Sequence, residues 1–122
     1  MAKTPIIYVN DILSAIRRVQ TYTKGMSRAE FGSDELRQDA VIRCLEVISE
    51  ASRRLSEATK TRHPDIPWAK IAAIGNILRH EYQSVSADLI WNVAETNIPD
   101  LRRAVEQIKA ELDEERGRVT KS

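Results

Sequence analysis

Asn76, Arg79, His80 and Tyr82 crowd into the segment Ile74-Gly75-Asn76-Ile77-Leu78-Arg79-His80-Glu81-Tyr82, the part of the sequence best supplied with reactive side chains. An imidazole gives or takes a proton near neutral pH, and a guanidinium offers a planar fork of donors to an oxyanion. At about 100° per residue, Ile71, Ile74, Leu78 and Tyr82 form one broad apolar arc of a helix, with Trp68 and Gly75 at its edge. Asn76, Arg79 and His80 fall on the adjoining surface, interleaved with Ala69, Ala72 and Ala73. Polar groups among alanines suit a close contact or a pocket. Blander readings stand beside this one. A helix-borne histidine is most often a surface or hydrogen-bonded structural residue, Arg79 can be a surface ion-pair partner, and Tyr82 can bury its ring and let its hydroxyl emerge. Gly75 inside a helix costs about 1 kcal/mol relative to Ala, and close approach of a second helix is the expected reason for it.

A helix must carry these residues, and the flanking pattern supplies one. Thr61 to Pro67 reads as an ordered, proline-bearing loop, with Pro67 suited to the first turn of a helix from Trp68 to about Gln83. Upstream, Val9, Ile12, Leu13, Ile16, Val19 and Tyr22 recur at helical spacing until Gly25. Ser27 to Gly32 forms a short connector with room for one helical turn. Ser33 then serves as N-cap, with Asp34 and Glu35 in the first turn of a long helix whose stripe runs from Leu36 through Leu55 to about Thr59. Ser86 caps a fourth helix, and Asn97-Ile98-Pro99 breaks it and starts a fifth that carries Leu101, Ala104, Val105, Ile108 and Leu112. The charged tail from Asp113 is expected to fray. These elements predict an all-α, up-and-down bundle of four to five helices, with residues 1–122 as one domain.

Composition narrows the function classes. The chain has 122 residues, with Lys+Arg 19 against Asp+Glu 18, and the net charge of +1 excludes a blanket polyanion-binding surface and an acidic disordered tail. Only 4 Gly and 4 Pro exclude long loops and many hairpins. The lone Cys44 excludes an intramolecular disulfide and a cysteine-rich zinc site. No run approaches a membrane span, so a soluble, cytoplasmic protein is expected. Glu46 and Glu50 lie four apart without a matching His or Asp cluster, so neither a metal nor a cofactor is expected. Arg17-Arg18, Arg53-Arg54 and Arg102-Arg103 are basic pairs on three helices, some of which a bundle could gather around a cleft to hold phosphates. His63 has no partner nearby in sequence and reads as incidental.

Trp68 with Ile71, then Asn76-Ile77-Leu78-Arg79-His80-Glu81-Tyr82, Leu89-Ile90-Trp91 and Ile98-Pro99-Asp100-Leu101, resembles the HepT-like branch (DUF86) of the HEPN superfamily. Phe31-Gly32-Ser33-Asp34 and Ala40-Val41 through Ile48-Ser49-Glu50-Ala51 are similar to that family's second-helix pattern, so the resemblance spans nearly the whole chain. It implies a homodimeric helical bundle in which the third-helix motifs of two chains face each other across a cleft. It also implies a metal-independent endoribonuclease toxin, paired with an MNT-type nucleotidyltransferase antitoxin. The family motif runs Arg, a polar residue, His and Tyr. Asn76, His80 and Tyr82 match their places, while Gly75 stands where the motif has Arg.

That departure bears on mechanism. Metal-free RNA cleavage needs one group to take the 2′-hydroxyl proton, another to protonate the leaving 5′-oxygen, and a cation for the phosphorane. His80 can act as acid or base, and two His80 residues of a dimer can divide the roles. Arg79, one turn beyond Gly75 and leaning back over the preceding turn, is the candidate replacement for the missing cation. The resemblance makes Tyr82 the acceptor of adenylyl groups from the antitoxin, and a base-stacking platform is a further reading. Ile77, outside the main apolar arc, argues independently for a second chain. Two other classes remain open: a catalytically degenerate HEPN module that binds a nucleotidyltransferase-like protein, and a purely structural helical dimer.

Overall fold

The computed structural model describes residues 4–80 and 86–121, which are helical with short connections. Helix α1 (Pro5–Thr23) starts with Pro5 in its first turn, where the missing N–H costs nothing, and buries Val9, Ile12, Leu13, Ile16 and Val19. Gly25, at φ +75°, turns the chain out of it. Ser27 and Glu30 then form a reciprocal capping box that opens the short helix α2 (Arg28–Gly32). Its Phe31 is fully buried, with its ring centroid 5.4 Å from that of Trp91.

Three helix pairs build the body, and their cross-contacts fix the directions. Arg37, near the start of α3 (Glu35–Arg53), donates to the Tyr22 carbonyl at the end of α1, while Arg54 just past α3 interacts with Tyr8 near the start of α1. These two helices are therefore antiparallel. Ser49 and Arg53 of α3 meet Ala72 early in α5 (Trp68–His80), and Leu45 shares an apolar groove with Ile74, Ile77 and Leu78 later in it. That pair is antiparallel too. Arg102 of α7 (Ile98–Lys121) reaches Gln20, and Glu106 and Lys109 line a groove with Leu13 and Arg17. The resulting order, α7–α1–α3–α5, is an all-α up-and-down bundle with α1 and α3 at its centre.

Several local expectations need correction. Asp34, not Ser33, caps α3 by accepting from the Arg37 N–H, because the Ser33 hydroxyl is turned back onto the Ala29 and Glu30 carbonyls. The long second helix ends at Arg53 rather than near Thr59. Leu55 is buried at the corner and Ser56 caps a separate short helix, α4 (Glu57–Thr61), by accepting from the Thr59 N–H. Asn97-Ile98-Pro99 does not break the chain: α6 (Ala87–Asn92) passes through a π-turn over Val93–Asn97 into α7, with the Ile98 N–H bonded to the Val93 carbonyl five residues back. The wide turn accommodates Pro99, which lacks an N–H and would crowd a regular helix. Helix α7 runs on through Asp113 to Lys121. Among the described residues, no helix is long and apolar enough to cross a membrane.

Candidate active site

The start of α5 is stitched to the loop before it. Trp68 Nε1 donates to the carbonyls of His63 (3.0 Å) and Lys60 (3.2 Å), the His63 N–H bonds back to Lys60, and the Ile66 N–H bonds to His63. His63 is buried, and its Nε2 lies 3.5 Å from Glu111 Oε1 on α7. It is thus a packed link between the proline loop and the last helix rather than an incidental residue. Its partner lies far along the chain, which is why spacing could not reveal it. These contacts fix the rotation of α5 from its first turn, and Ile71, Gly75 and Leu78 face inward.

Gly75 is where α5 and α3 approach most tightly among the glycines. A Cβ placed there would lie 2.6 Å from Ser49 Cβ and closer still to Ser49 Oγ. The Ser49 hydroxyl donates to the Ala72 carbonyl at 3.0 Å. Close helix packing therefore accounts for the glycine, as its position in a helix led us to expect.

The surface of α5 adjoining this packed face is open. Asn76, Arg79 and His80 share one exposed strip with Ala69, Ala73 and Ile77, and Ile77 is 42% exposed. Arg79 reaches across to α3, where its Nη1 lies 3.9 Å from Glu50 Oε2. Arg53 Nη1 lies 3.7 Å from the same oxygen, and its Nη2 donates to the Ala72 carbonyl at 3.0 Å. Arg54 takes the other carboxylate oxygen, Oε1, from Nη2 at 3.0 Å. Hydrogen bonding to Glu50, and secondarily to Tyr8, pushes the Arg54 guanidinium pKa up. One carboxylate thus gathers three guanidinium groups. Alongside them, a groove of about 480 Å³ is lined by residues including Tyr8, Asp11, Arg43, Glu46 and Arg79.

The structure brings Asn76, Arg79 and His80 together on one surface. Tyr82 lies outside the described residues. The space at Gly75 is filled by Ser49, and the Arg79 guanidinium meets the next residue of α3, Glu50. Glu46 pairs with Arg43, and Glu46 and Glu50 are thus engaged by arginines. Sequence reasoning singled out the Arg53-Arg54 pair but not its destination. The signal was their place on the α3 turn that follows Ser49 and Glu50, which becomes informative only once α3 is known to cross α5 there.

Comparison with known proteins gives the relatives. A family model described as Ribonuclease HepT-like matches residues 12–108. The chain is 36% identical over 113 residues to "Gamma-glutamylcyclotransferase and putative RNase MJ0434" of Methanocaldococcus jannaschii, covering 93% of this chain and 51% of that protein. It thus spans about half the length of that relative. It is 34% identical over 102 residues to "Probable ribonuclease HepT" of Thermococcus cleftensis, covering 84% of this chain and 93% of that one. No solved structure matches at a significant level.

Proposed function

The chain belongs to the ribonuclease HepT-like family, and on that premise we propose that it is a metal-independent endoribonuclease toxin of a HEPN/MNT toxin–antitoxin system. It acts as a single domain, in the cytoplasm, at a cleft between two copies. The observation that carries the reading is the exposed strip of α5, where Asn76, Arg79 and His80 lie beside the uncovered Ala69, Ala73 and Ile77. Small residues let a second helix come close, and the exposed isoleucine gives it apolar surface to cover.

In the proposed reaction the 2′-oxygen of the RNA attacks the adjacent phosphorus and the bond to the 5′-oxygen breaks. One His80 takes the 2′-hydroxyl proton, and the partner copy's equivalent histidine supplies a proton to the leaving oxygen. Arg79 stabilises the charge that builds on the phosphorane, and Asn76 holds a phosphate oxygen in place. Tyr82 is the residue on which an MNT-type nucleotidyltransferase antitoxin would place an adenylyl group, adding bulk and negative charge beside the cleft.

A second reading has its own observation. Ser49 occupies the space beside Gly75, so nothing of the motif arginine can be accommodated there as the helices stand. On this reading the chain is a degenerate HEPN module that binds a nucleotidyltransferase-like protein. The two readings separate on digestion of total RNA and tRNA by purified protein in EDTA, with Arg79→Ala and His80→Ala prepared alongside, and sedimentation to establish the dimer. The ribonuclease reading expects cleavage that both substitutions impair. Cleavage lost with His80 but untouched by Arg79→Ala removes Arg79 from the mechanism, and no cleavage by a folded dimer favours the binding module.

A further inference from the structure

We infer that Arg53 of α3 is a phosphate-binding residue for RNA, acting with Arg79 as a two-guanidinium clamp that Glu50 holds in register while the site is empty. The inference rests on the ribonuclease reading above and names a second cation for the same cleft. Arg53 and Arg79 come from different helices, yet their Nη1 atoms lie 3.7 Å and 3.9 Å from one oxygen, Glu50 Oε2. Arg54 is held on the other oxygen. Three guanidinium groups therefore share one carboxylate, and with Arg43, Glu46 and Asp11 of the adjoining groove counted as well, four arginines face three carboxylates.

The position of Arg53 connects it with the α5 strip. Its Nη2 is bonded to the Ala72 carbonyl, and that carbonyl points along the helix toward Asn76, four residues on. The Arg53 guanidinium is thus anchored one turn before Asn76 by one donor, and a guanidinium carries five. Its side chain remains 36% exposed, so phosphate oxygens can reach the other donors. Glu50, 47% exposed, is a surface counterion and not a deeply buried charge, and a phosphate that bridges the two guanidinium groups can take over that pairing.

The alternative is that Arg53 only pins α5 to α3 through Ala72. The salt dependence of RNA binding tells them apart, because removing a structural hydrogen bond does not change how many counterions RNA releases. The measurement uses the whole chain carrying His80→Ala, so that RNA stays intact, with a fluorescent single-stranded RNA titrated across a series of KCl concentrations. In that background Arg53→Gln should weaken binding and reduce the slope of log affinity against log salt by about 0.7 for each phosphate that is no longer neutralised. Arg53→Lys should keep the slope. Arg103→Gln, on α7 beside Asp100, should leave both affinity and slope unchanged.

A folded Arg53→Gln protein whose slope equals that of its parent overturns the role of Arg53 while leaving the ribonuclease reading intact. A parent protein that binds no RNA overturns that reading first and this one with it. Should Arg53→Gln prevent folding, the Nε–H resonance of Arg53 in the His80→Ala protein gives the answer directly. It should shift on addition of the same RNA, and a resonance that stays in place while RNA binds refutes the clamp.

Discussion

Adding one methyl group at Gly75 should destabilise the protein even though alanine is the better helix former. The new Cβ would lie 2.6 Å from Ser49 Cβ, an atom that no side-chain rotation can move away, so α3 and α5 must separate. Overpacking of this kind costs about 1 to 3 kcal/mol, against a helix-propensity gain of about 1 kcal/mol for replacing glycine. With the two atoms this close, the net loss for Gly75→Ala should be about 1 to 2 kcal/mol, a fall in melting temperature of roughly 3 to 8 °C. In a Ser49→Gly background the obstacle is gone, and the same change should stabilise by up to about 1 kcal/mol. The double-mutant cycle should therefore show a coupling of about 2 to 3 kcal/mol, whereas Ser49→Ala, which keeps the Cβ, should not rescue. Urea unfolding followed by far-UV circular dichroism, at one fixed protein concentration, measures each corner of the cycle. Gly75→Ala with equal effect in both backgrounds would refute the packing argument. The same geometry predicts that a larger side chain at position 75, such as that of Gly75→Arg, is accommodated only when Ser49→Gly accompanies it.

Other outcomes follow from the local chemistry. Hydrogen bonds from the Ser27 backbone and hydroxyl hold the Glu30 carboxyl below its ordinary pKa. Its contribution to stability is therefore present above the unfolded-state carboxylate pKa and lost as pH falls through the folded value. Glu30→Gln should lower the melting temperature at neutral pH, and the gap to wild type should close in acid. Burial raises the Cys44 thiol pKa, with Arg18 and Arg43 opposing weakly. Ellman's reagent should accordingly react slowly with the native protein at mildly alkaline pH and rapidly after unfolding in urea.

The apolar stripe of α1 was legible because its inward residues recur at one period with no competing signal, and Gly25 ended it unambiguously. The end of α3 was not legible to the same degree. Leu55 continues the helical stripe, but Ser56 followed by Glu57 is also a cap, and the capped corner with Leu55 buried prevailed. Pro99 read as a break because a regular helix rejects it, and a π-turn is a tertiary accommodation that no local pattern announces. At the site, the place of Asn76, Arg79 and His80 beside the apolar arc followed from helical angles, while their exposure did not. What could not follow was the partner across α5: Ser49 against Gly75, and Glu50 with Arg53 beside Arg79, are contacts between distant segments. His63 and Glu111 illustrate the same limit, because a long-range pair leaves no mark on local spacing.

The most direct test of the proposed ribonuclease activity is the single-turnover rate at which purified protein cuts a defined RNA in EDTA, compared between wild type and His80→Ala. Metal-free cleavage should occur and should fall by about 10²- to 10⁴-fold when the imidazole is removed, the usual weight of a positioned acid or base. A folded wild-type protein that leaves the RNA whole, or a His80→Ala protein that cuts as fast, would contradict it.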